Sequence, residues 1–131
     1  MKLCAAACQI LTFPEPDKSA EKVVEWMEMA AGEGVEVVAF PEACLCGYVC
    51  DQAYWEGAEP EAFVRAEAQV IAAAGRLGIG VVLGTAHWVD GQLFNSLLAI
   101  DRDGGAGLFW WFFAVAPSHF PELEVLVQRY L

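Results

Sequence analysis

Positive charge is what this sequence most lacks. Seven Lys and Arg stand against 18 Asp and Glu, for a formal net charge of -11. Nucleic acid and anionic membrane surfaces would be repelled, so neither is an expected partner. Long apolar runs are also missing. The longest, Ala106 to Pro117, is too short to span a bilayer. No G-x-G-x-x-G or G-K-[ST] opens a helix, and Gly104-Gly105 reads as a turn, so no phosphate-bearing cofactor is expected. Cys44, Cys46 and Cys50 make a C-x-C-x3-C pattern. That is not a common zinc spacing, so no metal is expected either. Met1-Lys2 leads straight into a strand-like run without a signal peptide, and the cysteine count of five is odd. The expectation is free thiols in a reducing cytoplasm.

What is present is apolar and patterned. The 131 residues suffice for one domain with a sizeable core, and 57% are hydrophobic, which points to strands buried on both faces. Leu3 to Leu11 reads as a first strand, and Thr12 to Pro16 as a turn. Asp17 is the candidate N-cap of a helix whose apolar face is Ala20, Val23, Val24, Met27, Ala30 and Ala31. Gly32 and Gly34 end it. Cys44 to Glu59 reads as an irregular, shaped surface loop. Pro60 starts a second helix with a stripe of Phe63, Ala66, Val70, Ala73, Ala74 and Leu77, closed by Gly78. Ile79 to Thr85 is a third strand, Asp90-Gly91 a turn, and Leu93 to Asp101 a fourth strand. The order βαβαβ predicts an α/β fold with a parallel sheet and right-handed crossovers.

The stretch that organises the rest is Val35 to Tyr48. Val35 to Phe40 reads as a buried strand that stops at Pro41, which has no N–H to give a ladder. Glu42 therefore sits at the carboxyl end of a strand, where α/β folds collect ligand and catalytic groups. From position alone it is equally a solvated loop carboxylate or a general base. Tyr48, Tyr54 and Trp55 in the following loop are candidates to line a substrate pocket or, alternatively, to pack the loop. Cys4 and Cys8 are expected as small core residues on one strand face. Cys44, Cys46 and Cys50 crowd the loop after Glu42. One of them could serve as a makeshift nucleophile, but without a cation nearby its pKa is expected to be raised rather than lowered. Free loop thiols are therefore the expectation. His87 reads as a surface turn residue or a site residue, and Asn95 as a structural residue that hydrogen-bonds within the sheet.

The ordered set Ala7-Cys8-Gln9-Ile10, Glu21-Lys22, Val38-Ala39-Phe40-Pro41-Glu42, Leu45, Gly47-Tyr48, Leu77-Gly78-Ile79, Val81-Val82-Leu83-Gly84, Phe94-Asn95-Ser96-Leu97 and Ile100 to Gly104 resembles the N-terminal half of the nitrilase superfamily of carbon–nitrogen hydrolases. The resemblance covers roughly residues 1 to 107. It implies part of an α-β-β-α sandwich: a mixed sheet of four or five strands with two helices on one face. It also implies hydrolysis of small amide, N-carbamoyl or nitrile substrates by a Glu-Lys-Cys set, with Glu42 as general base.

Two departures follow. The family's lysine lies in a G-x-Y-R-K-x-H pattern. Aligned on Gly107, this chain places Trp111 at the lysine and Phe113 at the histidine. None of the five cysteines matches the family's nucleophile. Residues 108–131, opening on the aromatic run Phe109 to Phe113, are expected to replace the family's second half through truncation or a shifted frame, within the same domain. In the alternative account they form a short variant in which the run covers the sheet and Pro117 to Leu131 is a helix. The chain is thus expected to be inactive alone. The competing function is a non-catalytic binding or assembly module, with a homo-oligomer built through the exposed sheet face.

Overall fold

The structure is a computed structural model that describes residues 2–111 and 126–129, with side chains up to residue 107. Its elements are β1 (Ala5–Ala7), α1 (Pro16–Gly32), β2 (Val37–Ala39), a 3-10 turn (Cys44–Cys46), α2 (Gln52–Glu56), α3 (Pro60–Leu77), β3 (Gly80–Val89), β4 (Gln92–Ile100), β5 (Ala106–Trp111) and β6 (Leu126–Arg129). They form one six-stranded mixed sheet in the order of the sequence. β1, β2 and β3 are parallel, and β3 to β6 are antiparallel. The sheet has one strand more than the upper expectation, because Leu126–Arg129 pairs with β5. These four residues are therefore a strand and not part of a C-terminal helix. The rest of that proposed helix, and Phe112-Phe113 of the aromatic run, lie outside the described residues.

The strands begin and end where backbone partners do. β1 and β2 are shorter than the apolar runs that contain them, since each pairs over only three residues. Single bonds extend the pairing: Cys8 N–H donates to Ala39 O at 2.8 Å, and Phe40 N–H to Val82 O at 2.8 Å. β3 and β4 join through Asp90-Gly91 with Val89 opposite Gln92. Both turn residues have positive φ, 50° and 77°, as a two-residue hairpin requires. α1 starts two residues earlier than a cap at Asp17 would place it, with Glu15 at the N-cap position. Pro16 takes the first turn, and Asp17 lies inside it as an acidic residue rather than as the cap. α3 runs from Pro60 and stops at Gly78, which turns left-handed at φ 65°.

α1 and α3 pack on each other and on the same sheet face. Val38, Phe40, Val81, Leu83, Leu98 and Ile100 meet Val23, Met27, Val70, Ala73 and Ala74 there. The register puts Leu83 opposite Leu98 and Val81 opposite Ile100, so each pair shares that face. The alternate positions Val37, Ala39, Val82, Leu97 and Ala99 belong to the other face and are half-buried. Cys8 packs against the core as expected, whereas Cys4 is exposed beyond the end of β1.

One carboxyl is buried within this apolar layer. Glu67 on α3 is 3% exposed, and Thr85 Oγ1 on β3 donates to its Oε1 at 2.9 Å. Burial pushes its pKa up to about 7, partly offset by the Thr85 hydrogen bond. The unfolded chain ionises this group near 4.5, so unfolding releases a proton between those values. Stability from Glu67 is fully present below about pH 4.5 and is lost as pH rises through about 7. Urea unfolding of the native chain and Glu67→Gln should therefore diverge with pH. The glutamine variant should gain, relative to the native chain, on the order of 3 kcal/mol between pH 4.5 and pH 8.

Candidate active site

The site forms where the parallel ladder stops. Pro41 ends the N–H series of β2, and its carbonyl accepts from Gly84 N–H at 3.2 Å. The chain then crosses β3 at Gly84. A Cβ there would fall on Ala43 N and lie 2.5 Å from both Glu42 Cα and Pro41 O. These are backbone atoms with nowhere to go, so only glycine admits the crossing. Ala43 follows with φ 51°, which turns the chain into the 3-10 turn. Glu42 is left exposed beside β3 and β4.

Asn95 on β4 meets it there. Its Nδ2 donates to Glu42 Oε1 at 2.5 Å. The amide nitrogen has to face the carboxylate, because an ionised carboxylate only accepts. This corrects the expectation that Asn95 bonds within the sheet: its side chain leaves β4 and holds the candidate base. Asn95 stands opposite Ala86 on one side and Trp111 on the other. Position 111, which the resemblance aligns with a lysine, is thus in the ladder row next to the Glu42–Asn95 contact.

A cavity of about 430 Å³ opens at this point. Glu42, Asn95, Thr85 and Ala86 contribute to it from the sheet end, with Leu93 and Phe94 from β4. The loop after Glu42 supplies Ala43, Cys46, Tyr48, Val49, Cys50 and Trp55. Of the three pocket candidates, Tyr48 and Trp55 are brought to the cavity and Tyr54 is not. Tyr54 donates its hydroxyl to Pro14 O, away from the lining. Trp55 is fixed by its indole N–H on Val49 O at 2.9 Å and packs against Phe63 and Trp88. Tyr48 is 63% exposed. The loop itself is more regular than its composition suggests. Asp51 caps α2 by accepting from Ala53 N–H at 2.9 Å, a local device inside a Gly- and aromatic-rich stretch. His87 lies on β3 opposite Phe94, half-buried, with burial holding its pKa down; it does not line the cavity.

The two buried thiols beside Glu42, Cys44 and Cys46, are poor nucleophiles. Cys44 belongs to the core, and burial pushes its pKa up to about 12, helped by Cys46 and Cys8. Cys46 is pushed to about 11, first by burial, with the Glu42 charge adding to it. Hydrogen bonds from Tyr48 and its own backbone act in the other direction. Cys50 is exposed at the cavity, its Sγ 3.7 Å from Tyr48 O. Among the described residues, no three His, Cys, Asp or Glu side chains cluster to hold a metal ion.

Sequence reading missed Glu67 and gave Asn95 the wrong partner. Glu67 follows Phe63 by four and precedes Val70 by three, so helical spacing does place it on the buried stripe of α3. Asn95 left no such signal, because its partner is 53 residues away.

A carboxylate at the end of a parallel strand, an amide that holds it and a cavity in front of both define the class: an α/β protein with a cavity at the sheet end, where such folds collect their functional groups. The carbon–nitrogen hydrolase family model matches residues 4–108, and the chain belongs to that family. It is similar in fold to an amidase from Nesterenkonia sp., at 19% identity and a TM-score of 0.76 over 88% of this chain and 44% of that one. A mutant of the Nesterenkonia sp. AN1 amidase, with acrylamide added at its active-site cysteine, aligns at 17% identity and a TM-score of 0.78, over 88% and 46%. A carbon–nitrogen hydrolase from Helicobacter pylori G27 aligns at 18% and 0.72, over 92% and 41%. The chain spans less than half the length of these structures. No match to a curated protein was found. No helix among the described residues is long and apolar enough to cross a membrane.

The Gly84 crossing makes a direct prediction. Gly84→Ala should cost about 1–3 kcal/mol, as overpacking against backbone does, and should separate Glu42 from Asn95. A lowered urea midpoint together with loss of that contact in a structure of the variant is the expected outcome. A variant as stable as the native chain would contradict the crossing.

Proposed function

We propose that the chain carries the general-base side of a carbon–nitrogen hydrolase site, that its cavity takes a small amide or nitrile, and that the chain alone does not hydrolyse it. The observation that carries this reading is the Glu42 carboxylate, held by Asn95 at the mouth of a cavity in a fold of this family. In Glu-Lys-Cys chemistry a thiolate attacks the carbonyl or nitrile carbon. The carboxylate takes the thiol proton and returns it to the leaving amine, while the lysine stabilises the developing negative charge. Glu42 fills the first of these roles. At the aligned lysine position stands Trp111, which brings no charge. Cys46, with a pKa of about 11, is ionised in roughly one molecule in ten thousand at neutral pH. Burial and the carboxylate beside it together disfavour that thiolate.

Intact-mass spectrometry of the chain with acetamide or a small nitrile tests this. The expected result is an unchanged mass and no ammonia released. An adduct on Cys46 or Cys50 that disappears in Glu42→Ala would sink the reading.

The half-buried apolar face formed by Val37, Ala39, Val82, Leu97 and Ala99 favours a second reading, an assembly module that pairs with another copy through that face. Sedimentation decides it: a concentration-dependent dimer is the expected outcome, and a monomer at all concentrations removes it.

A further inference from the structure

Among the described residues the Glu42 carboxylate meets no cation. Lys18, Lys22, Arg65, Arg76 and Arg102 are engaged in surface ion pairs with Glu15, Glu25, Asp17, Glu28 and Glu36. Lys2 precedes β1, at the opposite end of the parallel strands from the cavity. Arg129 stands opposite Gly107 in β5, four residues along that strand from the row of Trp111 and Asn95. Between Arg102 and Arg129 the sequence holds no Lys or Arg at all. Among the described residues no Lys, Arg or His lines the cavity.

Three aromatic residues are among those that do line it. Tyr48, Trp55 and Phe94 share the cavity with Glu42. Asn95 occupies Oε1, and Oε2 has no hydrogen-bond partner among the described residues. A carboxylate beside π-faces is the chemistry that recognises organic cations: the anion supplies charge and hydrogen-bond acceptance, and the ring faces attract the cation further. Among the described residues a metal ion would find one carboxylate and no cluster of ligands. The net charge of -11 raises the local concentration of any cation near the surface.

We propose that this cavity binds a small organic ammonium ion, with its N–H donors on Glu42 and its carbon skeleton against Tyr48, Trp55 and Phe94. This goes beyond the amide reading and does not depend on it. It stands on the carboxylate, the three aromatic residues beside it and the lack of a counter-charge among the described residues. A primary ammonium on a ring-sized skeleton suits the cavity, since about 430 Å³ is within the usual range for small-molecule sites.

The test is calorimetric titration of the whole chain with benzylammonium and with benzamide, a neutral compound of similar shape. Benzylammonium should bind roughly tenfold more tightly than benzamide, and its binding should weaken as salt is added. Glu42→Gln should remove the preference. Glu56→Gln, which makes the same change in net charge on α2 outside the cavity, should keep it. Circular dichroism checks that both variants fold. Four results would overturn the proposal: benzamide binding as tightly as benzylammonium, no benzylammonium binding, an unchanged preference in Glu42→Gln, or an equal loss in both variants. Benzamide binding alone would leave the amide reading standing.

Discussion

A backbone crossing without room for a side chain holds this site together. Pro41, Glu42 and Ala43 pass directly over Gly84, and a methyl group at Gly84 would collide with all three. The crossing is possible because β2 stops pairing at a residue with no N–H, while Gly84 N–H still finds the Pro41 carbonyl. The chain then turns through a left-handed residue at Ala43. From this follow the place of Glu42, its contact with Asn95, and the path of the loop that closes the cavity. The core beneath, built by α1 and α3 on one sheet face, keeps β3 and β4 in register so that Gly84 and Asn95 arrive together.

The electrostatics of the site follow from a charge imbalance. The carboxylate is exposed to the cavity and lies beside thiols that burial already makes reluctant to ionise. Glu42's charge pushes Cys46 further the same way. Acyl transfer through a thiolate needs the opposite arrangement, a cation that lowers the thiol pKa and meets the charge of the tetrahedral stage. The same imbalance that disfavours a nucleophile favours a bound cation. The proposed inactivity and the proposed ammonium binding therefore rest on one charge imbalance.

Much of the fold was legible because it rests on local signals. Pro60 and Gly78 bracket α3, Asp90-Gly91 makes the hairpin, and the apolar stripes of α1 and α3 face the sheet. Strand lengths were not legible, since β1 and β2 end where their partner ends and not where their own apolar runs end. The 3-10 turn and α2 were hidden in a stretch whose glycines and aromatics read as irregular. At the site, the strand and proline before it put Glu42 at the sheet end, and only the family resemblance singled it out as the candidate base. Asn95 was not legible as its partner, because a contact across 53 residues depends on register and on the crossing at Gly84. Tyr54 shows the same limit in reverse. Its neighbour Trp55 reaches the cavity, but one step along a short helix turns Tyr54 toward Pro14.

The central claim is that the Gly84 crossing delivers Glu42 to Asn95. The side-chain amide resonance of Asn95 reports this contact directly, since a proton shared with a carboxylate shifts downfield and exchanges slowly with water. The account predicts such a signal in the native chain and its return to an ordinary amide position in Glu42→Ala. An Asn95 signal at the same position in both proteins would contradict it.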